Sequence, residues 1–132
     1  ENTMITNFQP HFHLRGKAMM VEAILPNGKT ETISYVDNFN FNWMTNYIYS
    51  DDAVPVYPKG TIIHVVAWYD NTVNNKFNPD PTQWVGWGDR TVDEMAHAWV
   101  NVTYMPDADY QAELAARREA LAKKTSQQQQ QQ

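Results

Sequence analysis

The chain has 132 residues, 42% of them apolar and 13% aromatic, enough for one domain with a single core. A net charge of -5, with basic residues gathered only at Arg117, Arg118, Lys123 and Lys124, argues against nucleic acid as a partner. Cysteine is absent, which excludes disulfides, thiolate zinc sites, iron–sulfur clusters and a cysteine nucleophile, and no apolar run approaches the roughly 20 residues that cross a bilayer.

Residues 9–25 read as extended. They contain His11 and His13, and side chains at i and i+2 of a strand share a face. Two imidazoles side by side suit copper, zinc, iron or nickel. Pro26-Asn27-Gly28-Lys29 predicts a tight hairpin, because Asn-Gly tolerates positive φ. The return strand spans 30–36. Residues 39–49 carry Phe39, Phe41, Trp43, Tyr47 and Tyr49 at period 2, a row expected on one face as core or, failing that, as an exposed binding surface. A loop with Pro55 and Pro58 follows.

The β-branched run 61–69 predicts a buried strand, with His64 a hydrogen-bonded core residue. Residues 70–82 form a polar loop rich in Asn, Asp and Pro. Its oxygen donors Asp70, Asn71, Asn78 and Asp80 are open to two readings, calcium ligands or caps on their own turns. A short strand at 83–88, a turn at 89–94 and a last strand at 95–105 complete the β region. Strands so spaced predict an all-β fold, an antiparallel β-sandwich of jelly-roll type. Helical spacing of Tyr110, Leu114, Arg117 and Leu121 predicts a helix at 109–124, weakly docked, and six terminal glutamines predict a disordered tail at 125–132. The domain reading is a sandwich at 1–105, a helical extension at 106–124 and the tail.

Two histidines are half a metal site. Among six methionines, Met95 stands at the mouth of the last strand after a turn, a good position for a third ligand. Two imidazoles plus a thioether suit copper, since soft sulfur favours Cu(I); zinc prefers Cys, His and carboxylate. His97, two residues on, shares that face if the strand is regular, and is open to two readings, an ordinary strand residue or one that lines the site or adds a ligand. Asp93 and Glu94 either orient a histidine or simply face the turn.

The run His11-Phe12-His13-Leu14-Arg15-Gly16-Lys17, followed by Phe41-Asn42-Trp43, Pro58-Lys59-Gly60-Thr61, Tyr69-Asp70-Asn71, Asn78-Pro79-Asp80-Pro81, Trp87-Gly88-Asp89 and Asp93-Glu94-Met95, resembles the C-terminal domain of copper type II, ascorbate-dependent monooxygenases. Peptidylglycine α-hydroxylating monooxygenase and dopamine β-monooxygenase represent that family, and bacterial relatives are closer. The resemblance covers about residues 8–104. It implies that His11, His13 and Met95 hold one copper ion that binds dioxygen. It also implies that ascorbate is the reductant and that an organic substrate is hydroxylated at an activated C–H bond.

A second copper, in a separate N-terminal domain, supplies an electron in that family. The histidine-rich motifs of that domain are missing here, so the expected partner is a second copper domain on a longer precursor or on another chain. Glu1 in place of Met predicts a processed product or a piece of something longer, and the expected location is secreted or periplasmic. The competing expectation is a non-catalytic extracellular module that binds copper or a protein partner.

Overall fold

The computed structural model describes residues 1–129. Its order is β1 (Asn2–Ile5), β2 (Asn7–Phe12), β3 (Gly16–Ile24), β4 (Thr30–Val36), β5 (Tyr47–Ile48), β6 (Val56–Tyr57), β7 (Ile62–Tyr69), β8 (Ala96–Trp99), β9 (Val102–Met105) and α1 (Asp107–Gln129). The strands make three antiparallel sheets of three, in the orders β6-β1-β9, β5-β2-β8 and β4-β3-β7.

The first two sheets use the same two stretches of chain. β1 leads into β2 through Thr6, and β8 into β9 through Val100 and Asn101. Ile5 pairs with Val102 and Gln9 with Trp99, four steps on one side against three on the other, so the ladder slips by one residue at this join. Asn7 covers the slip, its Oδ1 accepting from the Asn101 amide at 2.6 Å. The stretch expected as one strand at 95–105 is therefore two.

Alternation along β2 decides what is buried. Phe8, Pro10 and Phe12 face inward, while Gln9 and His11 face outward. Phe8 and Phe12 join Met19 and Val21 of β3 in one cluster, and Ile5, Ala23 and Tyr57 form a second. Each fully buried ring or branched chain of this kind contributes about 1.5–3 kcal/mol. Between β2 and β3 the chain turns at Leu14-Arg15, with the Gly16 amide donating to the His13 carbonyl at 3.1 Å. A Cβ on Gly16 would lie 2.2 Å from Phe12, so only glycine lets that ring sit against the backbone. The hairpin at Asn27-Gly28 forms as expected, with Gly28 at φ 83°.

Three further expectations are corrected. Residues 39–49 are mostly coil, with strand only at Tyr47–Ile48: Asn40 accepts from the Asn42 amide at 3.0 Å, and such local bonds compete with a ladder. Phe39 and Tyr49 pack on the core, but Trp43 and Tyr47 are exposed. β7 is not buried: among the described residues it is an edge strand paired with β3, and Ile62, Ile63, Val65, Trp68 and Tyr69 are all exposed. His64 is likewise exposed, its Nδ1 3.1 Å from the Glu22 carboxylate.

The third concerns the C-terminus. α1 begins at Asp107 and continues past Lys124 to Gln129, so 125–129 are helical rather than disordered. The Thr125 and Ser126 hydroxyls donate back to the Leu121 and Ala122 carbonyls. The rest of the expected tail, 130–132, lies outside the described residues. The helix docks through buried Tyr110 and through Arg117, whose Nη1 donates to the Val54 carbonyl at 2.7 Å. Among the described residues no helix is long and apolar enough to cross a membrane.

Candidate metal centre

The outward side of the β2–β8 ladder carries the imidazoles. His11 pairs directly with His97, and their ring centroids are 5.9 Å apart. His13 lies just beyond β2, its ring 5.7 Å from that of His11 and nearly perpendicular to it. The last pair of the ladder is Phe12 with Ala96, so His13 and Met95 are the next residues along the chain beyond that end. Met95 is buried, at 9% exposure, directly before β8. The backbone thus brings His11, His13 and Met95 to one end of one ladder, with His97 beside them.

The two histidines are held differently. His13 is 6% exposed, and its Nδ1 lies 3.0 Å from the Asp93 carbonyl oxygen. A carbonyl only accepts, so Nδ1 is the donor and Nε2 is turned away from this contact. That is the form in which a histidine ligates metal, with the second nitrogen tied to a carbonyl. His11 is half-buried, and its Nδ1 lies 3.2 Å from the Met44 sulfur. Burial first, then the proximity of His13 and His97, hold its pKa below the ordinary value of 6.5.

The Asp93 carbonyl is placed by a braced turn. The Asp93 carboxylate accepts from Arg90 Nε at 2.9 Å and Nη2 at 2.7 Å, and this Arg90 pairing holds its pKa below the usual range. A Cβ on Gly88 would lie 2.4 Å from the same carboxylate, so this position requires glycine. Arg15 is 3% exposed; its Nη1 donates to the Val92 carbonyl at 2.7 Å and its Nε to Asn71 Oδ1 at 3.0 Å. Glu94 lines a cleft of about 420 Å³ with Arg15, Asn71 and Trp84. Burial pushes its carboxyl up, against the opposing pull of Arg15 and His13.

The coil 40–46 lies against the outward side of β2. Gln9 Nε2 donates to the Met44 carbonyl at 3.1 Å, and Asn7 Nδ2 to Asn46 at 2.7 Å. Met44 was not among the residues expected at the site. Nothing in its local spacing points there, because it sits between aromatic positions in a stretch that reads as strand. Arg15 was part of the motif but had no expected role.

Donor chemistry decides which ion fits. Among the described residues, no group of three or more His, Cys, Asp or Glu side chains is arranged to hold a metal. Imidazoles with a thioether, the donor types of His11, His13 and Met95, are a combination that suits Cu(I) better than zinc. The oxygen donors of the Asn-rich loop serve as turn caps and braces: Asp70 accepts from the Thr72 amide, Asn71 from Arg15, Asn78 from the Asp80 amide, and Asp80 from Thr82.

Comparison of the chain with protein-family models, with curated proteins and with solved structures finds no match.

Proposed function

We propose that this chain is a copper-binding oxidoreductase domain, the dioxygen-binding half of an ascorbate-dependent monooxygenase that hydroxylates a C–H bond. The observation that carries the reading is His13: buried, with Nδ1 committed to the Asp93 carbonyl and its ring 5.7 Å from that of His11. Copper bound there would supply one-electron redox chemistry, with ascorbate as reductant and dioxygen and an organic molecule as co-substrates.

The chain's own groups do the rest. His11 and His13 offer imidazole nitrogen to either oxidation state of the ion, and Met95 offers the soft donor that favours Cu(I). Arg15 and Arg90 fix the turn between them. The cleft beside Glu94, with Trp84 at its mouth, is the place offered to the substrate. On the same reading the three sheets are the two layers of a jelly-roll sandwich. The second copper domain is a partner on a precursor or another chain, and the protein is secreted or periplasmic.

One observation favours a second reading, a non-catalytic extracellular module that binds copper or a protein. β7 presents an unpaired edge with Ile62, Ile63, Val65 and Trp68 exposed, a surface suited to another chain. The two readings part on turnover. With copper, ascorbate and oxygen, the monooxygenase half consumes oxygen and His13→Ala does not; a module binds one copper and leaves oxygen untouched.

A further inference from the structure

We infer that Met44 is a second thioether ligand of the same copper centre, paired with His11 through Nδ1; this rests on the copper reading above. The Met44 sulfur and His11 Nδ1 are 3.2 Å apart. With metal–nitrogen and metal–sulfur bonds of about 2.0 and 2.3 Å, two donors on one ion stand roughly 3 to 3.5 Å apart. The pair already has the spacing of neighbouring ligands. In the absence of metal the same spacing is a weak N–H···S contact, which keeps Met44 in place for an ion to replace the proton.

Met44 does not serve the ordinary purpose of a methionine. Among the described residues it belongs to neither apolar cluster, and it meets an imidazole instead of a core wall. Its backbone is pinned by Gln9, the residue two before His11 on the same side of β2. With Asn42, Trp43 and Thr45 it lines an open groove, so an ion can reach it from solvent. The centre then has two sulfurs, Met44 beside His11 and Met95 directly before β8. Two thioethers bias a site toward Cu(I) more strongly than one.

The test uses the full chain loaded with Cu(I), titrated against a chromophoric competitor, together with the sulfur shell in copper X-ray absorption. Met44→Leu is expected to lower Cu(I) affinity at least about tenfold with a smaller effect on Cu(II). Met95→Leu is expected to keep part of the sulfur shell, and Met44→Leu/Met95→Leu to lose it. Thermal melts of the metal-free variants check folding, and Met44→Gln, which keeps length and removes sulfur, repeats the loss. Wild-type affinity and an intact sulfur shell in Met44→Leu overturn the inference while leaving the copper reading standing. A wild-type chain that takes up no copper overturns both.

Discussion

The Nδ1 of His13 meets the backbone carbonyl of Asp93 at 3.0 Å, across 80 residues of chain. That contact ties the end of β2 to the turn that precedes β8, the two places where His13 and Met95 stand. It fixes the orientation of the ring. Replacing His13 by Ala should therefore lower Cu(I) affinity by at least about 10- to 100-fold, the scale on which ordered ligand shells act. Equilibrium dialysis against a copper buffer reads it directly.

Arg15 braces the same turn from within. Its guanidinium bonds the Val92 carbonyl and Asn71, and it is almost wholly enclosed. Hydrogen bonds to a charged group contribute about 1.5–3 kcal/mol each, and an acceptor left bare in the interior costs its desolvation. Arg15→Met should destabilise the protein by about 2–4 kcal/mol in urea unfolding. It should also weaken copper binding, although Arg15 is not itself a donor.

Gly16 is held by contact and not by a special φ. Its Cβ would strike Phe12, a ring with no exposure that is further packed edge-on by Phe39 and Tyr69. Overfilling a closed core of this kind costs about 1–3 kcal/mol. Gly16→Ala should lower the urea midpoint accordingly, and Gly16→Ala in a Phe12→Leu background should recover part of the loss.

Two titrations bear on stability. His11 binds its proton less readily in the folded chain than in the unfolded one, because burial and the charges of His13 and His97 oppose it. Stability of the metal-free protein should then be present above the unfolded value of about 6.5 and be lost as pH falls through that value toward the lowered folded one. His11→Leu should flatten the loss. On the alkaline side, burial first, then the charges of Glu31 and Tyr49, push the Tyr57 hydroxyl up to about 12. The unfolded chain ionises near pH 10, so stability should decline between about pH 10 and 12, by up to roughly 1.4 kcal/mol per unit. Tyr57→Phe should make that slope shallower, with the remainder left to Tyr49 and Tyr69, which burial also raises.

The parts of the fold that were legible in sequence are those decided by local chemistry. Asn27-Gly28 sets its hairpin because positive φ is needed there, and β2 alternates as Phe8, Pro10 and Phe12 alternate with Gln9 and His11. The pairing of His11 with His97 was half legible, since period 2 put His97 on the face of Met95, but the ladder that sets them opposite is a long-range fact. Where the reading failed, something remote or competing decided. Residues 39–49 have the period of a strand, yet asparagine side chains satisfy the backbone locally. The β-branched run of β7 reads as core, yet burial depends on a neighbour the strand does not have. Met44 reaches His11 only because a coil folds back over β2, which no spacing encodes.

The most direct test of the account is the stoichiometry and affinity of Cu(I) in the full chain, measured by competition with a chromophoric ligand, for wild type and for His11→Ala/His13→Ala. The account predicts one tightly held ion in the wild type and none in the double variant, both folded by their melts. Equal Cu(I) binding by the two proteins, or none by the wild type, would contradict it.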